Sequence, residues 1–144
     1  MARNEGQIRE KYRGGEEEGR ATQSRYAGLE FYYTKRHLDG YVGRDASVVE
    51  LGCGTGYYAL HFADRCREYL GVDLVPEHVV ALREKAAKRG LENVRAQLGD
   101  ATCLREISDG AFDVVLCLGP LYHLPPDERE LVFSECRRIG RPGG

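Results

Sequence analysis

Hydrophobic and polar positions follow two different periods along most of this chain. A short β-branched run predicts a buried strand at 48–51, and further strands are predicted at 69–73, at 94–98 and, as a nearly all-apolar run, at 112–118. Longer segments with apolar residues three and four positions apart predict helices over 57–67, 76–89 and 127–139. Strands that alternate with helices are typical of an α/β fold, in which helices cover both faces of a doubly wound, mainly parallel sheet. Ligands of such sheets bind beyond the carboxyl ends of the strands.

The first 44 residues have another pattern and are predicted to form a helical cap ahead of a core domain at 45–144. A short helix is expected around 8–12, followed by a polar segment whose Glu16–Glu18 run is interpreted as solvated. A second helix is expected from 24 to about 41, with an aromatic face. That face could cover a cationic ligand or simply dock on the sheet; its tyrosines include Tyr26, Tyr32 and Tyr33.

Composition and charge exclude several classes of function. A net charge of −2 over 144 residues predicts no nucleic-acid partner and no anionic membrane partner. No apolar run approaches the roughly 20 residues that a membrane-spanning helix needs. The five cysteines are scattered without a Cys-x-x-Cys pair, so we expect no metal site, no disulfide framework and a cytoplasmic location.

A glycine-rich loop follows the first predicted strand and opens a helix. Gly52, Gly54 and Gly56 permit a tight turn and a close approach of the backbone to a ligand. Their Gly-x-Gly-x-Gly spacing differs from the Gly-x-Gly-x-x-Gly of dinucleotide sites, because Tyr57 stands where the last glycine would be. Glu50, at the base of the loop, would repel a pyrophosphate and suits a ligand with an ammonium and a sulfonium. A nicotinamide-dependent oxidoreductase is therefore disfavoured.

Two further carboxylates follow the next two strands. Asp73 closes the second strand, 17 residues after Gly56, and could accept hydrogen bonds from both ribose hydroxyls of an adenosine. The alternative is a helix-capping or loop carboxylate. Asp100, after the third strand, could read an adenine edge together with the neighbouring backbone amide; the alternative is a plain turn residue.

These segments, taken together, resemble a known family. Residues 49–56, 71–73, 99–101, 112–116 and 137–144 are similar, in order and spacing, to the motifs of class I S-adenosylmethionine-dependent methyltransferases. The resemblance implies a Rossmann-like fold, methyltransferase activity and S-adenosyl-L-methionine as cofactor. It implies that Glu50 and the loop glycines hold the methionine part, Asp73 the ribose, and Asp100 with Ala101 the adenine. The expected cofactor-binding residues are Glu50, Gly52, Gly54, Gly56, Asp73, Leu74, Asp100, Ala101 and Leu118.

On the acceptor side, residues 118–124 resemble a bacterial and archaeal subgroup that acts on small molecules. We therefore expect a small-molecule acceptor, with His123 and Tyr122 as candidate catalytic residues. His123 could remove a proton from the acceptor or orient it, or it could pack against or cap the next helix. Tyr122 is better suited to a wall or lid. Surface or helix-packing roles are expected for His37, His61 and His78.

Complete members of the family carry about three further strands, so the chain is expected to be a truncated form of the fold. The strand at 112–118 would then lie at an exposed edge without a charged residue after position 113, which predicts self-association through that edge. Two alternatives remain open. One is a non-catalytic fragment or subunit that binds S-adenosylmethionine, and the other is a synthase that uses its decarboxylated form.

Overall fold

The computed structural model describes residues 5–13 and 24–143 of the chain; the predicted Glu16–Glu18 run lies outside them. The helices are α1 (Glu5–Tyr12), α2 (Arg25–Leu38), α3 (Tyr57–Phe62), α4 (Pro76–Lys88) and α5 (Pro126–Ile139). The strands are β1 (Ser47–Leu51), β2 (Glu68–Asp73), β3 (Val94–Leu98) and β4 (Val114–Cys117). Two 3-10 helices span Ala63–Arg65 and Pro120–His123. No helix among the described residues is both long and apolar enough to cross a bilayer.

The four strands form one parallel sheet in the order β3-β2-β1-β4. The chain moves outward from β1 through β2 to β3, then returns to place β4 on the other side of β1. Strand order therefore reverses between β1 and β4, which opens a crevice at their carboxyl ends. The α/β, Rossmann-like fold class is confirmed, and β4 is an edge strand of the described sheet, as expected.

Helices cover both faces of the sheet because the side chains of each strand alternate between them. On β1, Val48 joins the hydrophobic cluster that includes Phe31 of α2 and Phe62 of α3. Val49 joins the opposite cluster, in which Val132 of α5 is completely buried. The side chain of Glu50 follows Val48 in this alternation. Each face thus has its own apolar core, and the strand ends stay open for ligands.

Several elements differ from the sequence predictions, among them the helix predicted from 24 to about 41, which ends at Leu38. The helix predicted over 57–67 ends at Phe62 and continues as a 3-10 turn. The strand predicted over 112–118 shortens to β4, because Asp113 turns its carboxylate to Ser47 and Phe112 forms only an isolated bridge with Gly140. The 3-10 helix at Pro120–His123 was not predicted.

Candidate functional site

A cavity of about 1500 Å³ lies at the carboxyl ends of β1, β2 and β3 and extends to the 3-10 helix after β4. The residues predicted from sequence converge on it, although more than 20 positions separate each of the three carboxylates from the next along the chain. Those that line it are Glu50, Gly52, Gly54, Asp73, Leu74, Asp100, Ala101, Leu118, Tyr122 and His123. Gly56 is the one predicted residue that is not part of its lining.

The glycine loop needs glycine for two physical reasons. Gly52, Gly54 and Gly56 have φ angles of 76°, 54° and 91°, in the left-handed region that other residues rarely adopt. A Cβ on Gly52 would lie 2.6 Å from Cγ of Pro120, and one on Gly56 would overlap Cδ1 of Leu82. Gly52 thus lets the loop after β4 approach the cavity, and Gly56 lets α3 pack closely on α4.

Asp73 is buried at the end of β2 and holds the glycine loop by a hydrogen bond. Its Oδ2 accepts a 2.8 Å hydrogen bond from the Gly54 amide, and its Oδ1 accepts a 2.9 Å bond from the Val75 amide. The interpretation as a loop carboxylate therefore describes the contacts that are present. Since each carboxylate oxygen can accept more than one hydrogen bond, the predicted ribose role is compatible with these contacts.

Glu50 is a buried carboxyl group at the floor of the cavity, with 2% of its surface exposed. Burial raises its pKa from 4.5 to about 8; the hydrogen bond from the Tyr69 hydroxyl lowers it in part, and the nearby charge of Asp73 adds to the rise. The carboxylate form is therefore costly unless a cation is near. A ligand ammonium is the kind of group that would stabilise it.

Asp100 forms a turn and also faces the cavity. Its Oδ1 accepts hydrogen bonds from the Thr102 amide at 2.9 Å and the Thr102 hydroxyl at 2.7 Å, a pattern typical of aspartate in turns. The turn interpretation thus describes its contacts, while its position beside Ala101 in the lining fits the predicted adenine contact.

The acceptor side of the cavity includes residues from α1 and from the 3-10 helix after β4. Nε2 of His123 lies 2.7 Å from the hydroxyl oxygen of Tyr12, and the two rings pack edge-on. Tyr122 is 71% exposed at the rim. The packing interpretation of His123 accounts for its contact with Tyr12, and its place in the lining leaves it accessible to an acceptor.

The tyrosines of α2 neither cover the cavity nor dock the helix on the sheet, the two interpretations that the sequence left open. The helix docks on the core through Phe31 and Leu38, which are buried. Phe31 lies against the ring of Tyr57, with centroids 4.1 Å apart. The tyrosines neither dock on the sheet nor line the cavity, and all three are exposed: Tyr26, Tyr32 and Tyr33.

Sequence reasoning did not assign His78 or Tyr12 to the site. His78 lies on the first turn of α4, is buried, and places Nδ1 3.1 Å from Oδ1 of Asp73; a surface or helix-packing role was expected. Its position five residues after Asp73, in a helix that starts at the ligand-binding edge, was the available signal. No pattern pointed to Tyr12, because α1 is distant in sequence from everything that it contacts. Nowhere in the described ranges do three or more His, Cys, Asp or Glu side chains form a group that could hold a metal ion.

Comparisons with known proteins agree with this geometry. A family described as a methyltransferase domain matches residues 48–144. The uncharacterized methyltransferase YcgJ of Bacillus subtilis is 34% identical over 96 residues, which cover 67% of this chain and 37% of that protein. A ubiquinone biosynthesis O-methyltransferase of Idiomarina loihiensis is 30% identical over 112 residues, 78% of this chain and 44% of that protein.

Among solved structures, the PH0226 protein of Pyrococcus horikoshii has a TM-score of 0.74 at 30% identity. The match covers 85% of this chain and 57% of that one. The chain spans less than half the length of the two curated relatives.

Proposed function

This chain belongs to the S-adenosylmethionine-dependent methyltransferases, and from that premise we propose that its cavity binds S-adenosylmethionine for methyl transfer to a small molecule. S-adenosylmethionine is the cofactor of the family. The observation that supports the proposal is the convergence of Glu50, Asp73 and Asp100, from three strand ends, on one cavity. Membership of this family decides against a nicotinamide-dependent oxidoreductase.

The residues present fit a cationic adenosine ligand. The carboxyl groups of Glu50, Asp73 and Asp100 are among those that line the cavity, and Glu50 is buried deeply enough that its ionised form favours a cationic neighbour. The open backbone of Gly52 and Gly54 leaves room for a ligand to lie against the loop. We assign the methionine part to Glu50 and these glycines, the ribose to Asp73, and the adenine to the Asp100–Ala101 turn with Leu74 and Leu118.

Bound S-adenosylmethionine supplies a methyl group on an activated sulfonium. What remains for the protein is alignment of the acceptor and, for an oxygen or nitrogen acceptor, removal of a proton. His123 is the group that we assign to the second task, with Tyr122 at the rim as a wall for the acceptor. The similarity to a ubiquinone biosynthesis O-methyltransferase supports a small-molecule acceptor with a reactive oxygen.

Calorimetric titration of S-adenosylmethionine, S-adenosylhomocysteine and NAD into the chain tests the proposal. We expect micromolar-range binding of the first two ligands and none of NAD. Asp73→Asn should abolish binding, while Asp109→Asn, an exposed carboxylate outside the cavity, should not change it. Thermal melting of each variant separates lost binding from lost folding. Binding of NAD alone would overturn the proposal, and binding without turnover would favour the non-catalytic alternative.

Self-association through the edge of β4 is a further part of the proposal. Val114 and Val115 are only half-buried on this strand, which has one strand neighbour among the described residues. An unpaired strand edge of this kind can pair with a second copy. Size-exclusion chromatography tests the idea, and a stable monomer at high concentration would contradict it.

A further inference from the structure

The imidazole of His78 carries a buried nitrogen whose role the contacts above do not explain. Its side chain is only 7% exposed on the first turn of α4, yet it belongs to the cavity lining. Nε2 is inaccessible to solvent and has no hydrogen-bond partner within the described part of the chain. Buried polar atoms without partners are rare in folded proteins because they have lost their bonds to water. This atom therefore points to a missing donor.

The contact with Asp73 determines what Nε2 can do. An ionised carboxylate only accepts hydrogen bonds, so the 3.1 Å contact with Oδ1 places a proton on Nδ1. In the neutral ring, the other nitrogen then presents a lone pair and no proton. His78 consequently offers a hydrogen-bond acceptor, held in a fixed orientation by Asp73.

We propose that Nε2 of His78 accepts a hydrogen bond from a ribose hydroxyl of the bound adenosine ligand and thereby selects ribose over deoxyribose; this rests on the proposed function. Among the donors of that ligand, the ammonium is assigned to Glu50 and the adenine amine to the turn at Asp100. The ribose hydroxyls are the donors that would lie near Asp73, and Asp73 holds the His78 ring. A neutral acceptor suits a hydroxyl and adds no further charge beside Asp73.

Binding at Nε2 also involves α1. The ring of Tyr12 packs edge-on against His78, with centroids 5.9 Å apart, and its hydroxyl lies 2.7 Å from Nε2 of His123. Because Nε2 is shielded from solvent, we expect the Tyr12 ring to shift when a hydroxyl bonds there. Binding in the ribose pocket would then move the Tyr12 ring, which also contacts His123 on the acceptor side.

The test compares S-adenosylhomocysteine with its 2′-deoxy and 3′-deoxy analogues by titration. We expect each analogue to bind the wild type more weakly: one because it lacks the hydroxyl that donates to Asp73, and the other, by about 3- to 10-fold as one hydrogen bond implies, because it lacks the hydroxyl that donates to His78. His78→Leu should bind the parent ligand and this second analogue equally, and His78→Gln, which keeps an acceptor oxygen, should retain part of the preference. His37→Leu is the matched control and should keep the preference of the wild type, because His37 is an exposed histidine on α2 outside the cavity lining.

A second readout does not depend on how the variants fold. The ¹⁵N NMR signal of Nε2 in the wild type should move when S-adenosylhomocysteine binds, and should not move with the analogue that lacks the relevant hydroxyl. Equal affinity of the wild type for all three ligands, or an unchanged preference in His78→Leu, would overturn the inference while the proposed function stands. Failure of S-adenosylhomocysteine to bind the wild type would instead overturn the proposed function.

Discussion

Tyr69 donates a 2.7 Å hydrogen bond to Oε2 of Glu50 inside the protein. The two residues stand on adjacent parallel strands, β2 and β1, and both are almost completely buried. The bond favours the carboxylate form of Glu50, yet the loss of water outweighs it and raises the pKa to about 8. The pair thus holds a carboxyl group that is mostly protonated at neutral pH, at the place where a ligand cation is proposed to bind.

We expect the stability of the protein to decrease as the pH rises from about 5 to 8. The Glu50 carboxyl has a pKa near 4.5 in the unfolded chain and about 8 in the folded one. Between these values the folded state keeps a proton that the unfolded state has lost, so the free energy of unfolding falls with rising pH. Urea unfolding at pH 5, 6.5 and 8 measures this dependence.

The Glu50→Gln variant should show a smaller decrease over the same range, because its side chain cannot ionise. Glu84→Gln, at an exposed position on α4, is the matched control and should follow the wild type. An identical pH dependence in the wild type and Glu50→Gln would show that Glu50 does not hold the extra proton.

Binding of S-adenosylmethionine should release a proton near pH 7. A ligand cation beside Glu50 favours the carboxylate and lowers its pKa from about 8. The observed binding enthalpy should then differ between phosphate and Tris buffers, and the difference should shrink above pH 9, where the group is already ionised. Glu50→Gln should show no contribution from this proton. Equal enthalpies in both buffers would argue against a cation at Glu50.

Substitution of Gly56 by alanine should destabilise the protein more than the same change at Gly90 or Gly43. At Gly56 the new Cβ meets Leu82 and the φ angle is 91°. Gly90 has a φ of 66° but open space, so alanine there should cost only about 1–2 kcal/mol. Gly43 has neither constraint and should be neutral or slightly stabilising. Thermal melting ranks the three variants, and a Gly56→Ala variant as stable as Gly43→Ala would contradict the packing role.

Asp113→Ala should cost about 1–3 kcal/mol of stability, because it leaves the buried amide of Ser47 without its acceptor. Oδ2 of Asp113 accepts from both the amide and the hydroxyl of Ser47, and these bonds lower the pKa of Asp113 to about 2. Asp113 therefore stabilises the fold above pH 3.8, and this contribution is lost as the pH falls through about 2.

Asp109→Ala is the comparison for Asp113→Ala. Asp109 is 81% exposed and pairs with Arg138 at the surface, so its loss should cost less than about 1 kcal/mol. Denaturant unfolding at pH 7 gives both values, and equal costs would mean that the bonds between Asp113 and Ser47 contribute little.

If His123 removes a proton from the acceptor, His123→Ala should lower the rate of methyl transfer to a small-molecule acceptor by about 100-fold or more. The affinity for S-adenosylhomocysteine should stay within a few-fold of the wild type, because His123 is assigned to the acceptor side. His37→Ala, an exposed histidine on α2, is the matched control. Full turnover by His123→Ala would leave His123 with the packing role seen in its contact with Tyr12.

Local pattern was sufficient for most of the framework. The bounds of β3 agree with the prediction, and those of β1 and α4 agree to within one residue. Parallel topology follows from the alternation of strands and helices, and it brings the ends of the strands to one edge of the sheet. The convergence of Glu50, Asp73 and Asp100 was therefore predictable from their positions directly after or near the end of predicted strands.

The contacts of those residues depended on the tertiary structure. Tyr69 meets Glu50 because the register of β1 and β2 places them on one face, and Tyr12 reaches His123 across 111 positions of sequence. The raised pKa of Glu50 comes from burial by elements that are remote along the chain. The alternation of apolar and polar residues is a local property of each segment. By itself the sequence therefore determined the strands, the helices and the edge of the sheet where ligands bind. Which side chains meet there, and how far water is excluded from them, was decided only by the packing of distant segments.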